Sequence, residues 1–263
     1  FTFTINAVND APNLKSAIIN TTSEGNTTND NLTLFLGEAF DVEGDPIQNI
    51  TDWMQNNISD AVLNMPMEST ANTTGMRDYS SYNNEGNIIG ATCNKTNGLI
   101  GGGCSFDGVD DGIILFPSDS LNITSNLSWS VSFWAKPNEN ATSWLAMVDK
   151  GRHGTGGQPE QHSGWSFLTP ENINGCGLLW ELYRYDTWTT LTYYTNTCGE
   201  WTYYIGTYDG SIARLYVNGI LDETSVAFTD YIEWGNSSLG IGVDGYTGTE
   251  SFFNGSIDQL MIW

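Results

Sequence analysis

Positive charge is scarce in this sequence: 8 Lys and Arg residues stand against 31 Asp and Glu among 263 residues, giving a formal net charge of −23. A nucleic-acid binder needs clustered cations to neutralise phosphates, and attraction to an anionic membrane surface has the same requirement. Both classes of partner are therefore excluded. No apolar run approaches the roughly 20 residues of a membrane-spanning helix, so we also expect no direct membrane insertion.

Helix signals are scarce as well, and only Ile50–Met65 has a pattern that could hold a helical turn. The rest of the chain consists of β-branched and aromatic runs, several with period-two alternation, separated by turn dipeptides. The segment LYVNGILDE, with Asn218-Gly219 at its tip, is typical of a hairpin. These features predict an all-β fold of the sandwich type.

N-glycosylation sequons, Asn-x-Ser/Thr with x not Pro, are frequent. They begin at Asn20, Asn26, Asn31, Asn49, Asn57, Asn72, Asn94, Asn122, Asn126, Asn140, Asn236 and Asn254. This density predicts an extracellular or cell-surface glycoprotein. The alternative is a Thr- and Asn-rich composition with few modified sites. No sequon begins between Asn140 and Asn236, so this stretch is predicted to be an unglycosylated working or packing face.

The four cysteines fit an exported protein. Cys93 and Cys104 bracket a Gly-rich turn, and Cys176 and Cys198 flank a predicted strand pair. Among the three possible connectivities we expect these two local disulfides. A zinc site is the alternative, but the sequence has no CxxC motif and only 2 His.

Six segments between about Ala61 and Trp263 resemble, in order, the motifs of the laminin-G-like, concanavalin A-like jelly-roll family. They are Leu63–Glu68, Asp78–Asn87, Ser105–Asp111 (the "F-D-G-x-D-D" signature), Ser130–Pro137, Trp201–Gly219 and Phe253–Asp258. Agreement of six ordered motifs over most of the chain is far more specific than any one of them. The resemblance implies two curved antiparallel sheets with an aromatic core between them.

Residues 1–60 resemble the immunoglobulin-like or cadherin-like repeats of bacterial and archaeal surface proteins. Phe1–Pro12 is similar to the last strand of such a repeat, and Asp41–Pro46 to its acidic loop. This module has only about half of the usual strands. We therefore predict a partial module over 1–60, with an N-terminal strand at 1–8, and a jelly roll over 61–263.

An incomplete sandwich leaves strand edges open. A strand from another copy of the chain would complete it, and Phe1–Val8 is the natural donor. Subunits would then join head to tail into a filament. The alternative is a fragment whose termini are accidental.

Calcium is the expected cofactor, and one candidate site lies in the first module. Asp41, Glu43 and Asp45 place three carboxylates at alternate positions around a Gly turn, which suits a hard, oxygen-binding cation. The alternative is a solvated acidic turn.

The jelly-roll resemblance implies a second, structural cation between the "F-D-G" turn and the last strand. Its ligands would be Asp107, the carbonyl of Gly108, Asp258 and Asp111. The alternative for Asp107 is turn capping, because Asp side chains bond nearby amides.

Catalysis is not expected. Concanavalin A-like glycosidases carry alternating acids on one strand, whereas Glu181 and Asp186 have the wrong spacing for a catalytic pair. Sugar binding is better supported, because aromatic residues crowd the sequon-free middle and aromatic rings stack on sugar rings. Trp188 is the best candidate for an exposed ring, with Tyr185 and Trp165 beside it; burial in the core is the alternative for each.

The sequence thus predicts a non-enzymatic extracellular adhesion or structural protein, with assembly into a filament of its own copies as one form of that role. A calcium-dependent, lectin-type module that binds cell-surface glycans is the alternative. A degenerate glycoside hydrolase is a third and weaker hypothesis.

Overall fold

The computed structural model describes residues 11–21, 30–44, 47–68, 75–122, 128–138, 144–151, 163–170, 176–184, 187–195, 198–228, 237–245 and 248–263. All regular elements in these ranges are β-strands, so the predicted all-β fold is confirmed. The Ile50–Met65 stretch, which could have held a helical turn, contains short strands instead. None of the described segments is a helix with the length and apolar character needed to cross a membrane.

The chain divides into two compact units, Phe1–Ile50 and Thr51–Trp263. This division falls ten residues before the boundary at residue 60 that the sequence motifs indicate. The strands described in the first unit are β1 (Asn13–Leu14), β2 (Ala17–Thr21), β3 (Leu32–Leu36) and β4 (Ala39–Phe40). β1 pairs with β4 and β2 with β3, each pair antiparallel.

Hairpin β2–β3 exposes apolar side chains on both of its faces. Ile18 and Ile19, which are adjacent and so point to opposite faces, are 57% and 60% exposed. Phe35 lies directly opposite Ile18 and is 53% exposed. This hairpin therefore carries apolar residues on both faces and buries neither.

The second unit contains most of the regular structure. Its described strands are β5 (Met54–Gln55), β6 (Ile58–Ser59), β7 (Leu63–Met65), β8 (Gly75–Met76), β9 (Gly86–Ile89), β10 (Thr92–Asn94), β11 (Gly103–Asp107), β12 (Gly112–Leu115), β13 (Trp129–Pro137), β14 (Leu145–Gly151), β15 (Ser163–Thr169), β16 (Cys176–Arg184), β17 (Thr187–Thr195), β18 (Thr202–Tyr208), β19 (Ala213–Val217), β20 (Ile220–Thr224), β21 (Leu239–Ile241) and β22 (Asn254–Ile262).

Two large antiparallel sheets form from these strands. Sheet I has the order β10-β11-β22-β13-β18-β19-β20, with β7 also paired to β22. Sheet II has the order β17-β16-β15-β14-β21-β12-β9-β8. Strands that are neighbours in space are often distant in sequence, as in a jelly roll with Greek-key crossings. The closing strand β22 lies near the middle of sheet I, where it pairs with β11, β13 and β7.

An aromatic core joins the two sheets. Phe167 and Trp180 of sheet II stack almost parallel, with ring centroids 5.3 Å apart. Phe133 of sheet I meets Phe167 edge to face at 5.2 Å and packs on Tyr204 at 5.8 Å. All four side chains are buried. Period-two alternation therefore places aromatic rings from both sheets in one shared core.

A buried carboxylate fixes the start of the jelly roll. Oδ1 of Asp78 accepts hydrogen bonds from the backbone amides of Asn64 and Ser80, at 3.0 and 2.9 Å. Oδ2 accepts from the amide of Asn84 at 2.8 Å and from the Ser80 hydroxyl at 2.7 Å. Four donors satisfy this buried acid, so the motif around Asp78 has a structural role here.

Candidate functional site

An acidic turn joins β11 to β12 at the "F-D-G-x-D-D" motif. One carboxylate oxygen from each of Asp107, Asp110 and Asp111 lies within 4.8 Å of the others. Asp107 and Asp110 are exposed, whereas Asp111 is buried. Gly108 has a φ of +79°, and a Cβ there would lie 2.9 Å from Cβ of Asn254, so the turn requires glycine.

Hydrogen bonds shape this turn around its own acids. Oδ1 of Asp107 accepts from the amide of Val109 at 2.8 Å, and Oδ2 of Asp111 accepts from the amide of Asp107 at 2.9 Å. Burial raises the pKa of Asp111, and the negative charges of Asp107 and Asp110 raise it further, while the amide of Asp107 opposes the shift. A bound cation would relieve that repulsion. Asp110, which the sequence reasoning left out of the ligand set, belongs to the cluster.

Asp258 does not join the acidic turn. In the pairing of β11 with β22, Asp107 lies opposite Asn254, so Asp258 is four residues further along β22, a distance of about 13 Å along a strand. Oδ2 of Asp258 accepts instead from the amides of Leu99 and Ile100, at 2.8 and 2.9 Å. Burial raises its pKa to about 6, with these hydrogen bonds opposing the shift. The expected ligand set of Asp107 with Asp258 is therefore wrong, and Asp258 holds the turn between β10 and β11.

The acidic turn in the first unit is only partly described. Oδ1 of Asp41 accepts a hydrogen bond from the amide of Glu43 at 3.0 Å, which is the geometry of an Asx turn. Asp45 lies outside the described residues. A calcium site formed by all three acids stays a prediction.

Trp165, one of the three aromatic residues expected to bind sugar, does not belong to such a site. This residue is 1% exposed and packs against Phe167 in the core at 5.8 Å, so it cannot contact a sugar. Trp165 and Phe167 are two residues apart on β15 and therefore share one face of sheet II. Tyr185 lies outside the described residues, and for Trp188 the structure describes the backbone alone, paired with Tyr183.

The two local disulfides expected from the sequence are confirmed. Cys93 and Cys104 lie directly opposite each other on β10 and β11, with an S–S distance of 2.03 Å. Cys176, the first residue of β16, bonds to Cys198, which follows β17. Each disulfide closes a hairpin of the second unit.

The sequons in the described ranges are accessible. Asn20, Asn31, Asn49, Asn57 and Asn122 are exposed, and Asn94 and Asn254 are half-buried. The remaining five, Asn26, Asn72, Asn126, Asn140 and Asn236, lie outside the described residues. Occupancy by glycans stays a prediction.

A buried ionisable group on β14 was missed by the sequence reasoning. Asp149 is fully buried, and its Oδ2 accepts from the amide of Gly245 at 2.7 Å. Burial and the nearby charge of Asp244 raise the pKa of Asp149 to about 7. The adjacent Lys150 is also buried, its Nζ donates to the carbonyl of Ser237, and burial lowers its pKa to about 8. The only signal in the sequence was an Asp-Lys pair inside an apolar strand.

Comparison with known proteins assigns the family. Residues 107–263 match the Laminin_G_3 family, the concanavalin A-like lectin/glucanases superfamily. The match covers more than half of the chain, and the chain therefore belongs to this family. No curated protein matches the sequence.

Solved structures share the fold. The botulinum neurotoxin serotype D binding domain is 16% identical with a TM-score of 0.58, over 77% of this chain and 47% of that one. The chain thus spans about half the length of that toxin domain. Domain 4 of AbnA, an extracellular GH43 arabinanase from Geobacillus stearothermophilus solved with arabinotriose, is 22% identical with a TM-score of 0.51, over 71% of this chain and 85% of that one. The binding domain of botulinum neurotoxin DC, solved in complex with SialylT, has a TM-score of 0.54 and 16% identity over 77% of this chain and 47% of that one.

Proposed function

We propose that this chain is a non-enzymatic recognition module of an extracellular or cell-surface glycoprotein, and that it acts in adhesion by binding glycans. The observation that carries the proposal is the jelly roll, which belongs to a superfamily described by its lectins and glucanases. Two disulfides and accessible sequons support an extracellular location.

Glycans are the favoured ligand class for two reasons. Domain 4 of AbnA and the neurotoxin DC binding domain, which share this fold, were solved with arabinotriose and with SialylT respectively. In this chain, 31 acidic residues against 8 basic ones disfavour polyanionic partners. The first observation favours glycans in general, and the charge of this chain favours uncharged glycans over sialylated ones.

A glycan array tests this function directly. The full chain, produced in a host that glycosylates asparagine, is applied to immobilised neutral and sialylated oligosaccharides in 1 mM calcium and, separately, in EDTA. We expect selective retention on a subset of the neutral oligosaccharides. Retention on none of the glycans under either condition would contradict the proposal.

Calcium is the proposed cofactor of this module, held at the turn of Asp107, Asp110 and Asp111. Three carboxylate oxygens within 4.8 Å suit a cation that prefers oxygen ligands and tolerates irregular geometry. The carbonyl of Gly108, in the same turn, is a further candidate ligand. Calcium would stabilise this end of the sandwich and make glycan binding sensitive to chelation.

Assembly into a filament is the second candidate function, supported by the exposed apolar faces of hairpin β2–β3. Edge strands of this kind accept strands from other chains. Phe1–Val8 alternates apolar residues and lies, by its pattern, at the end of a surface-protein repeat; its placement is outside the described residues.

Electron microscopy distinguishes this second candidate from a monomeric lectin. Particles purified from native cells are expected to include head-to-tail polymers, and a chain lacking residues 1–8 is expected to remain monomeric. Native material that contains monomers alone, or a truncated chain that polymerises as well as the intact one, would contradict strand donation.

A further inference from the structure

We propose that a cleft on the outer face of sheet II is the sugar-binding site of this chain and that it selects a neutral sugar; this rests on the glycan-binding function proposed above. The cleft has a volume of about 360 Å³ and lies between β9, β12 and the turn that follows β21. That volume is at the lower end of the range for ligand pockets, so the cleft suits about one or two sugar rings.

The register of β12 shows which face of sheet II carries the cleft. Ile113 and Leu115 are fully buried in the core. Ile114, between them, must point to the opposite face, and it pairs directly with Asn87 of β9. Both Ile114 and Asn87 line the cleft. The site therefore lies on the outside of the sandwich, where an oligosaccharide can reach it.

One wall of the cleft is apolar and contains an exposed aromatic ring. Phe116 is 69% exposed, whereas the phenylalanines at positions 106, 133, 167 and 253 are at most 1% exposed. Ile89 and Ile114 lie beside it as lining residues. The exposed ring of Phe116 is therefore accessible to a ligand in the cleft. Its flat face is suited to packing on the C–H face of a sugar ring.

The cleft also contains neutral hydrogen-bonding groups. Asn87 lies beside Ile114 on the sheet, and Ser238 and Thr249 are further lining residues. An amide offers two donors and a carbonyl acceptor, and each hydroxyl both donates and accepts, which matches the hydroxyl groups of a sugar. An apolar wall faced by a few polar groups is the usual composition of a small-molecule site.

The turn that closes the cleft is held in place by hydrogen bonds. The amide of Gly245 donates to Oδ2 of buried Asp149 at 2.7 Å, and the amide of Asp244 donates to the carbonyl of Glu250 at 3.1 Å. A Cβ on Gly245 would lie 2.4 Å from the carbonyl oxygen of Asp149, so only glycine allows this close approach. The backbone at Asp244 and Gly245 is therefore fixed before a ligand arrives, which lowers the entropy cost of binding there.

Charge decides which sugars the cleft accepts. Its described lining contains no Asp, Glu, Lys or Arg, and the chain as a whole carries a formal charge of −23. A sialylated or sulfated sugar would be repelled by the protein without meeting a cation in the site. Neutral sugars meet no such penalty, so we infer selection for neutral glycans.

Substitution of Phe116 tests the site against an exposed aromatic elsewhere on sheet II. Wild type, Phe116→Ala, Asn87→Ala and Tyr194→Ala are compared on an array that includes arabinotriose, cellotriose and sialylated trisaccharides. Tyr194 is 60% exposed on the edge strand β17 and does not line the cleft. Far-ultraviolet circular dichroism and melting temperatures verify that each variant folds.

We expect Phe116→Ala to weaken binding of neutral oligosaccharides about ten-fold or more, because it removes one aromatic contact and its apolar area. Asn87→Ala is expected to weaken binding in the same direction, and Tyr194→Ala to bind as wild type does. If wild type binds glycans and folded Phe116→Ala and Asn87→Ala bind them equally well, the cleft assignment is overturned while glycan binding stands. Preference for sialylated trisaccharides overturns the selectivity. If wild type binds no glycan, the proposed function fails together with the site.

Discussion

Both units of this chain form antiparallel strands rich in apolar residues, but only the jelly roll buries those residues in a core. In the jelly roll, alternate residues of β13 and β15 enter a core between two sheets, and Phe133 and Phe167 are fully buried. In the first unit, Ile18 and Phe35 face each other across an equally regular hairpin and stay more than half exposed. Apolar, β-branched and aromatic residues therefore form strands in both units, but burial requires a second sheet, and the described part of the first unit supplies none over this hairpin.

The two units also differ in how deeply their ionisable groups are buried. The acids described in the turn of the first unit, Asp41 and Glu43, are half-buried and exposed respectively. The jelly roll instead buries Asp149, Lys150 and Asp258. Stability of the larger unit should therefore depend strongly on its core and on pH, whereas the smaller unit should respond weakly to both.

The largest expected effect is the loss of an aromatic ring from the jelly-roll core. Phe167→Ala removes a ring that contacts Phe133, Trp165 and Trp180, and should lower the free energy of unfolding by about 3–5 kcal/mol. Phe167→Leu preserves most of the volume and should cost about 1.5 kcal/mol or less. Urea denaturation followed by circular dichroism measures both. Equal, small losses for the two variants would show that the two sheets are not packed as described.

The next effect concerns pH and is specific to the buried carboxyls. The pKa of Asp149 is raised from 3.8 to about 7, so between these values the folded chain holds a proton that the unfolded chain releases. Protonation of Asp149 therefore stabilises the folded chain at acidic pH, and this contribution is lost as pH rises from about 4 to 7. Asp258, with a pKa raised to about 6, acts in the same direction over a narrower range.

Asp149→Asn isolates this contribution, because the amide oxygen can still accept the hydrogen bond from Gly245. Melting temperatures of wild type and variant are compared from pH 4 to pH 8. We expect the wild type to lose stability relative to the variant as pH rises. Parallel curves over the whole range would show that Asp149 ionises normally in the folded chain.

The fold could be predicted from sequence because its signals are local. Asn218 and Gly219 adopt φ values of 50° and 82°, as the hairpin dipeptide requires, and β19 and β20 pair around them. The paired cysteines were also recognisable from their spacing. Trp165 was misassigned although its spacing from Phe167 already placed both rings on one face of a strand.

The cleft and the buried acids could not be predicted in this way. Asn87, Phe116, Ser238 and Thr249 are brought together by the strand order of sheet II, which joins β9, β12 and β21 from distant parts of the chain. The ligand set expected around Asp107 failed for the same reason: the register of β22, which no local pattern specifies, carries Asp258 away from the turn.

Calcium should have a smaller effect, and it tests which of the two acidic turns binds the cation. With a Kd near 10⁻⁴ M, as in extracellular modules, 1 mM calcium would stabilise the chain by about 1.4 kcal/mol. Asp107→Asn combined with Asp110→Asn should abolish the rise in melting temperature, and Asp41→Asn combined with Glu43→Gln is the matched change in the first unit. No shift on adding calcium or EDTA to wild type would count against both turns.

The smallest effect on stability is expected from a substitution in the exposed hairpin. This substitution distinguishes a role in folding from a role in association. Phe35→Ala removes a ring that is 53% exposed, so it should change the free energy of unfolding by no more than about 0.5 kcal/mol. If hairpin β2–β3 receives a strand from another copy, the same substitution should shift the sedimentation profile of polymers towards monomers, because it removes apolar area from the receiving face. Val226→Ala, at a residue that is 80% exposed in the jelly roll, is the control and should leave the profile unchanged. A large loss of stability in Phe35→Ala would instead mean that the first unit buries this ring in solution, and the contrast between the two units would disappear.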